Sequence, residues 1–167
     1  MKSVLISIQP KWCELIASGK KTVEVRKTKP KLETPFKVYI YCTANKQGTK
    51  DLLEIHGTDG KIRKANGKVI GEFVCDAIFP MSIKYSNPES KLALKEFPFT
   101  CLTDKQIIDY LGNGKEGYGW HILNLIIYDK PKELSEFHKP TMPTGLRYEN
   151  DVITRPPQSW CYVESKE

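Results

Sequence analysis

The sequence has 167 residues, of which 40% are hydrophobic and 28% are charged. These proportions are typical of one folded domain with a real core, and they exclude a disordered chain. The net charge of +6 favours polyanionic partners, because phosphates neutralised by a protein release counterions, although solubility alone would explain the same charge.

Cysteine usage and hydropathy limit the compartment in which the protein is expected. Five cysteines occur, an odd number, and none forms a CxxC pair. This pattern argues against a disulfide framework and a zinc site, so we expect reduced thiols, no metal and no cofactor. The first apolar run ends at Pro10, and no run is long enough to span a bilayer. We therefore expect a cytoplasmic protein without a membrane partner.

The first elements are predicted to be a strand, a helix and a second strand. Residues 4–8 form an apolar run that indicates a strand. Residues 10–18 carry apolar side chains at helical spacing behind a proline that suits a first turn, and Gly19 is a natural helix stop. Residues 22–27 alternate and are rich in β-branched side chains, which predicts a strand.

The middle of the chain contains two strong strand patterns around a polar insertion. Residues 36–43 alternate between two faces, and residues 68–79 form a second long strand pattern. Gly71 lies inside that pattern and indicates a bulge or close packing. Residues 44–67 are polar and glycine-containing, so we interpret them as a loop or insertion with a short helix near 51–55.

A helix and a strand are predicted after an irregular stretch at residues 80–100. Thr103 and Gln106 have the spacing of a capping box, and Gly112 would end the helix that they start. Residues 119–128 then predict a strand.

The remaining segment is dominated by prolines. Residues 129–157 contain five of them, so they are not expected to form a central strand or a long helix. Residues 159–163 predict a last strand that returns to the sheet. Six strands and two helices fit an α+β fold: a small mixed, mainly antiparallel β-barrel with peripheral helices. We expect residues 1–167 to form a single domain.

Positive charge is concentrated directly after the first helix. Six cations occur there with Glu24 as the one opposing carboxylate: Lys20, Lys21, Arg26, Lys27, Lys29 and Lys31. Glu24 and Arg26 share one face of the predicted strand, and Lys21 at its start is able to converge on them. Arg26 would grip a phosphate or carboxylate, while Lys21 would act as a base or as a plain cation. The alternative is a solvated surface ion pair.

The same residues carry a family resemblance. Gly19, Lys21, Glu24 and Arg26 match the G-x-K-x-x-E-x-R motif of the ASCH domain family. The helix before the motif and the later stretches YGWHI and RPPQSWCYV also resemble small bacterial and phage-borne ASCH proteins. The resemblance implies a PUA-like β-barrel with a basic cleft that is lined by the motif and suited to RNA, nucleotides or modified nucleosides.

The resemblance leaves the question of catalysis open. Some members resemble amidohydrolases that act on acetylated cytidine, and these have a nucleophilic threonine at the position of Glu24 with the motif lysine assisting. Glu24 in this sequence therefore argues against that route, since Thr22 lies one strand repeat earlier. Other members are described as ribonucleases, in which a lysine and a glutamate would serve in acid–base roles, and others as RNA-binding modules.

Aromatic side chains offer further candidate contacts. Trp12, Trp120 and Trp160 would either stack bases or belong to the core, and the core is the favoured interpretation for Trp12 and Trp160. Tyr39 and Tyr41 lie on the less apolar face of their strand, so they would stack on a base or pack across strands.

His121 follows Trp120 directly, so alternation places it on the opposite face. There it would either line the cleft or serve as a structural histidine.

From the charge, the motif and the resemblance together, we predict binding of RNA or a nucleotide-like small molecule. The candidate binding residues are Lys20, Lys21, Glu24, Arg26, Lys27, Tyr41 and His121. The alternative is a hydrolase of the same cleft, a ribonuclease or nucleoside amidohydrolase, with Lys21 and Glu24 as catalytic residues. A third interpretation is a protein-interaction module that uses residues 129–157.

Overall fold

Twelve strands and two α-helices form the described part of the chain. The structure, a computed structural model, describes residues 2–44, 53–83, 96–97, 99–142, 144–147 and 149–166. The strands are β1 (Lys2–Ile8), β2 (Val23–Arg26), β3 (Phe36–Cys42), β4 (Glu54–His56), β5 (Ile62–Lys64), β6 (Lys68–Cys75), β7 (Ile78–Ser82), β8 (Glu96–Phe97), β9 (Leu102–Thr103), β10 (Glu116–His121), β11 (Leu123–Lys132) and β12 (Trp160–Glu164). The helices are α1 (Pro10–Ala17) and α2 (Asp104–Leu111), and Leu134–Glu136 forms a 3₁₀ turn.

Two sheets organise most of these strands. A five-stranded sheet has the order β11-β6-β3-β1-β12, and a three-stranded sheet has the order β2-β10-β7. Strand β1 pairs in parallel with β3 and antiparallel with β12, and the other pairings in both sheets are antiparallel. The predicted mixed, mainly antiparallel α+β class is thus confirmed. The strands of the described residues form separate sheets and not one closed barrel.

The core lies on both faces of the five-stranded sheet. Strand β3 alternates as its sequence predicts: Val38 and Ile40 belong to the larger buried cluster, whereas Tyr39 and Tyr41 belong to a second one on the other face. Tyr39 is fully buried and packs edge-on against Phe137, at 5.0 Å between ring centroids. It therefore packs within the protein and is not available to stack on a ligand.

Helix α1 delivers the charged motif to the edge of the core. Pro10 occupies its first turn, where the missing N–H is not needed. Cys13 and Ile16 are buried on one face, because their spacing of three places them together. The helix ends at Ala17, and Gly19 follows with a φ of +74°, a left-handed conformation that glycine adopts without strain. The chain then turns directly into Lys21 and strand β2.

Helix α2 begins with the capping box that the sequence predicts. The Thr103 side chain accepts a hydrogen bond from the Gln106 backbone, and the Gln106 side chain accepts one from the Thr103 backbone N–H. These two bonds satisfy N–H groups that a helix start leaves without partners. Neither helix in this part of the chain has the length and apolar character needed to cross a membrane.

Two predicted strands are wrong in the same way. Residues 68–79 form β6 and then part of β7, and residues 119–128 form the end of β10 and the start of β11. Strands β6 and β11 belong to the five-stranded sheet, whereas β7 and β10 belong to the other one. The chain therefore crosses between sheets at residues 76–77 and at Ile122. The apolar pattern does not mark these crossings, because Phe79, Leu123 and Ile126 beyond them are apolar although they are exposed.

The predicted insertion contains a hairpin. Strands β4 and β5 pair antiparallel, so residues 54–55 are extended and not part of the short helix predicted near 51–55. Residues 45–52 lie outside the described residues. The prediction of an irregular stretch at 80–100 is partly wrong, since β7 continues to Ser82 and Glu96–Phe97 is a short strand.

The described residues of the proline-rich segment form neither a central strand nor a long helix, as predicted, and its residues Phe137 and Ile153 are buried in the core. Strand β11 contains Pro131 near its end and lies at the edge of the five-stranded sheet, where a missing N–H costs no pairing within the sheet. The prediction of a returning last strand is confirmed, because Trp160–Glu164 pairs with β1.

Candidate functional site

The three charged motif residues form one buried cluster. Lys21, Glu24 and Arg26 are 2%, 6% and 8% exposed. The Glu24 carboxylate lies between the two cations: its Oε2 is 3.3 Å from Lys21 Nζ, and its Oε1 is 2.9 Å from an Arg26 guanidinium nitrogen. The motif is therefore a buried charge network and not the solvated surface pair that its spacing also allowed.

Lys21 is held by three acceptors. Its ammonium donates to the carbonyl oxygens of Val23 (2.9 Å) and Thr100 (2.6 Å) in addition to contacting Glu24. The contacts with the two carbonyl oxygens are hydrogen bonds, and the contact with Glu24 Oε2 is an ion pair at 3.3 Å. The geometry therefore makes Lys21 a residue that positions Glu24.

A short strap at residues 99–101 holds the motif from outside. The Phe99 carbonyl accepts hydrogen bonds from the backbone N–H groups of Thr22 and Val23, at 2.9 and 3.0 Å. Phe99 and Cys101 both have positive φ, +78° and +56°, which is uncommon for residues other than glycine. Such conformations persist only where surrounding contacts impose them, and here they aim carbonyl groups at the motif.

Arg26 has a buried donor without a hydrogen-bond partner among the described residues. An Arg26 guanidinium nitrogen donates to the Ser7 carbonyl oxygen at 2.7 Å and also contacts Glu24. Its Nε is buried and has no hydrogen-bond partner within the described part of the chain. Buried N–H groups are nearly always paired, so an unpaired one in a residue that lines a cavity calls for an acceptor from outside the protein.

A cavity of about 990 Å³ opens over this cluster. The motif forms part of its lining, and α1, α2 and the segment before β12 supply most of the rest. The polar and aromatic lining outside the motif includes Ser7, Gln9, Lys11, Trp12, Tyr41, Gln106, Asp109, Tyr110 and Gln158. The volume is at the upper end of the range for small-ligand sites. The charged lining comprises three cations and two carboxylates, so a strongly basic cleft is not confirmed.

Aromatic rings stand beside the charges. Trp12 is half-buried and lines the cavity, and its ring lies 4.5 Å from Lys11 Nζ and 5.4 Å from Lys21 Nζ. Tyr110 lines another part of the wall. Trp12 also packs against the larger core cluster, as the favoured interpretation of this residue predicts. A flat ligand could lie against these rings while its edge reaches the motif.

The other site residues predicted from the sequence differ in their positions relative to the cavity. Tyr41 is buried and lines the cavity. Lys27 is exposed, and its Nζ lies 5.3 Å from the ring of Tyr110 at the cavity. Lys20 is exposed and outside the lining, and its carbonyl oxygen accepts from the Cys101 thiol at 3.4 Å.

His121 also lies outside the cavity lining, half-exposed. Its Nδ1 is 2.6 Å from an Asp76 carboxylate oxygen, and this hydrogen bond holds the pKa of Asp76 below its usual range. The histidine faces away from buried Trp120, as alternation predicts, but that face does not lead into the cleft. The structure thus brings Lys21, Glu24, Arg26 and Tyr41 together, with Lys27 at the rim.

Two ionisable groups, Tyr41 in the cavity lining and Cys13 in the core near the motif, are held neutral by their surroundings. Burial raises the pKa of the Cys13 thiol well above its usual range, and neighbouring Cys42 and Glu24 add to the shift. Burial likewise raises the pKa of Tyr41. Neither group is therefore an activated nucleophile or base. Within the described residues, no group of three or more His, Cys, Asp or Glu side chains is arranged to hold a metal ion.

Several lining residues escaped the sequence interpretation. Gln106, Asp109 and Tyr110 come from helix α2, and residues 156–158 come from the end of the proline-rich segment and the residue after it. Neither is close to the motif in sequence. The polar face of helix α2 was the one sequence feature that could have indicated these lining residues. Nothing in the local sequence shows that this face turns toward the motif.

The fold and the site together define a mixed α+β domain with a buried Lys–Glu–Arg motif beneath a ligand-sized cavity. The chain belongs to the ASCH domain family, whose model matches residues 6–131. No curated protein gives a significant match.

Solved structures show the same fold. The crystal structure of ASCH from Zymomonas mobilis has a TM-score of 0.60 at 20% identity, covering 97% of this chain and 87% of that chain. A mutant protein of this ZmASCH has a TM-score of 0.60 at 20% identity, covering 98% and 91%. A second mutant has a TM-score of 0.59 at 19% identity, covering 97% and 88%.

Proposed function

We propose that this ASCH domain binds RNA or a nucleotide-like ligand in the cavity above Lys21, Glu24 and Arg26. The observation that carries the proposal is the buried Arg26 Nε–H without a partner among the described residues, in a side chain that lines the cavity. A ligand oxygen would complete its hydrogen bonding.

Glu24 supplies the complementary half of the site. Each of its carboxylate oxygens contacts one cation, and a carboxylate oxygen accepts about two hydrogen bonds. Glu24 is therefore able to accept an N–H from the ligand beside the acceptor that Arg26 requires. Nucleobases present adjacent carbonyl and N–H groups on one edge, and their faces would stack on Trp12 or Tyr110.

Phosphate would be bound at the rim and not on the cavity floor. The cations of the floor are largely engaged by Glu24 and by backbone carbonyls. Lys11 and Lys27 are exposed, and each lies over an aromatic ring at the cavity. They would contribute the salt-dependent part of the affinity, because phosphate contacts release counterions.

The test is fluorescence anisotropy with labelled RNA and with free nucleotides across a salt series. Arg26→Lys keeps the charge and removes Nε–H, and Glu24→Gln keeps the shape and removes an acceptor. We expect each to weaken binding about 10- to 100-fold, the loss of one or two charge-assisted hydrogen bonds. Exposed Lys61 lies outside the cavity lining, so Lys61→Ala is the matched control. Equal, weak, salt-independent binding by wild type and motif variants would refute the proposal.

The geometry favours binding over hydrolysis. A catalytic base needs a free lone pair aimed at the substrate, whereas Lys21 donates to two carbonyls and contacts Glu24. Incubation of the wild type with RNA and with acylated cytidine tests the hydrolase alternative. Turnover that is lost in both Lys21→Ala and Glu24→Gln would establish an enzyme at this site and displace the binding-only proposal.

A further inference from the structure

A row of lysines and aromatic rings runs away from the cavity along the surface. The basic–aromatic strip consists of Lys27, Lys29, Lys31, Tyr118, Trp160 and Tyr162. Its three lysines are exposed, and its three aromatic residues are half-buried. The lysines belong to the loop after β2, Tyr118 to β10, and the other two rings to β12.

The loop and the rings are in direct contact. The Lys29 ammonium lies 5.3 Å from the ring centroid of Tyr118. The Trp160 indole N–H donates to the Thr28 hydroxyl at 3.0 Å, and the Lys31 backbone N–H donates to the Tyr162 hydroxyl at 2.7 Å. These bonds hold the lysine-bearing backbone against β12, so the charges have a defined place on the molecule.

The charge of the strip is not neutralised within the protein. Residues 27–31 contain three lysines and no carboxylate. Within the described part of the chain, none of the three takes part in an ion pair. The ammonium groups of Lys27 and Lys29 lie over ring faces, and such contacts are weak when exposed, so each of these two lysines is able to exchange its ring for a phosphate at little cost.

The strip is continuous with the cavity. Lys27 directly follows Arg26, and its ammonium lies over Tyr110, which lines the cavity wall. On the other side, Gln158 lines the cavity two residues before Trp160. A chain that leaves the cavity on this side therefore meets Lys27 first and then the remaining rings and lysines.

We propose that the strip binds single-stranded RNA that continues from the nucleotide held in the cavity. This inference rests on the proposed function and specifies its partner as a polynucleotide. Lysines would contact successive phosphates while unpaired bases stack on the half-buried rings, which is how single strands are recognised without sequence preference. Paired bases in a duplex would not reach the rings.

The test compares wild type with the triple variant Lys27→Gln, Lys29→Gln, Lys31→Gln. The probes are a single-stranded RNA of about 12 nucleotides, a length that one small domain covers, its duplex, and the four nucleoside monophosphates. We expect the variant to bind the single strand about 10- to 100-fold more weakly at low salt. Its slope of log K against log salt should be smaller by about 2, since each lost phosphate contact on a single strand contributes about 0.7. Monophosphate affinity should be unchanged.

The matched control removes the same charge at the opposite edge of the five-stranded sheet. Lys61, Lys64 and Lys130 are exposed there, on or beside β5 and β11, whereas the strip borders β12. The triple variant of these residues to glutamine should bind the single strand as wild type does. An equal loss of affinity for the single strand in both triple variants would overturn the proposal that the strip binds RNA. Binding of the duplex as tightly as the single strand would also overturn it.

The outcomes separate the two proposals. One outcome is that Glu24→Gln and Arg26→Lys weaken monophosphate binding while the strip variant binds RNA as wild type does. That outcome would refute RNA binding by the strip and support ligand binding in the cavity. If wild type binds neither monophosphates nor RNA, both are refuted.

Discussion

Glu24 is the one carboxylate between two buried cations, and its removal would leave both without their counter-charge. Breaking a buried ion pair by removing one partner costs about 3–5 kcal/mol, so we expect Glu24→Ala to lower the free energy of unfolding by that amount. Urea denaturation measures the change. Glu33 is exposed, and Glu33→Ala should stay within about 0.5 kcal/mol of wild type. A similar, small effect of both substitutions would show that Lys21 and Arg26 are not dependent on Glu24.

Gly71 was predicted to mark a bulge or close packing, and both are observed. Strand β3 shifts register against β6 between Ile40 and Tyr41, and a Cβ at Gly71 would clash with the Ile126 carbonyl oxygen. We expect Gly71→Ala to destabilise the protein by about 1–3 kcal/mol through overpacking. Hydrogen exchange should show faster exchange in β11 in particular. Glu33 is exposed in the loop after β2, so Glu33→Ala should leave β11 protected.

At the scale of the element, helix α2 is both a capped helix and a cavity wall. The Thr103 side chain accepts the Gln106 N–H, and the helix presents Gln106, Asp109 and Tyr110 to the cavity. Loss of an N-cap side chain costs about 1 kcal/mol, so Thr103→Ala should lower the midpoint of urea unfolding, whereas Thr103→Ser should retain it. Thr103→Ala should also weaken nucleotide binding if α2 frays. Equal stability of the two variants would contradict the role of the cap.

Local patterns predicted the elements whose causes are local. The proline at the start of α1, the glycine at its end and the capping box of α2 act within a few residues, and each is observed. The breaks inside the predicted strands 68–79 and 119–128 have a different cause. There the chain leaves one sheet for another, and apolar residues continue past each crossing although Phe79 and Leu123 are exposed. No local pattern distinguishes a long strand from two strands in different sheets.

The candidate site likewise has a part that local sequence patterns predicted and a part that depends on distant contacts. Strand alternation puts Glu24 and Arg26 on one face, and Lys21 converges on Glu24 as the turn allowed. The acceptor at Thr100 and the walls from α2 and residues 156–158 come from distant parts of the chain, so spacing could not reveal them. The burial of the motif, which turns a surface pair into a charge network, follows from those distant contacts.

At the scale of the whole molecule, the chain beyond the family match completes the fold. The match ends at residue 131, but β12 pairs with β1 along five residues, and residues 156–158 line the cavity. We therefore expect the ASCH unit of this protein to require its C-terminal segment. The basic–aromatic strip also depends on β12, since two of its rings belong to that strand.

The partly or fully buried thiols of Cys75 and Cys161 predict a loss of stability at alkaline pH. Burial raises the pKa of Cys75 from 9.0 to about 12 and that of Cys161 to about 11. The pKa of each thiol is higher in the folded protein than in the unfolded protein. Its contribution to the stability of the folded state is therefore fully present below the pKa of the unfolded state, and it is lost as the pH rises through the pKa of the folded state. Each pKa unit corresponds to about 1.4 kcal/mol, so urea midpoints should fall from pH 9 upward. Cys75→Ala should flatten this decline, whereas half-buried Cys101 lies outside the core, and Cys101→Ala should not. An unchanged decline in Cys75→Ala would assign the alkaline loss to other groups.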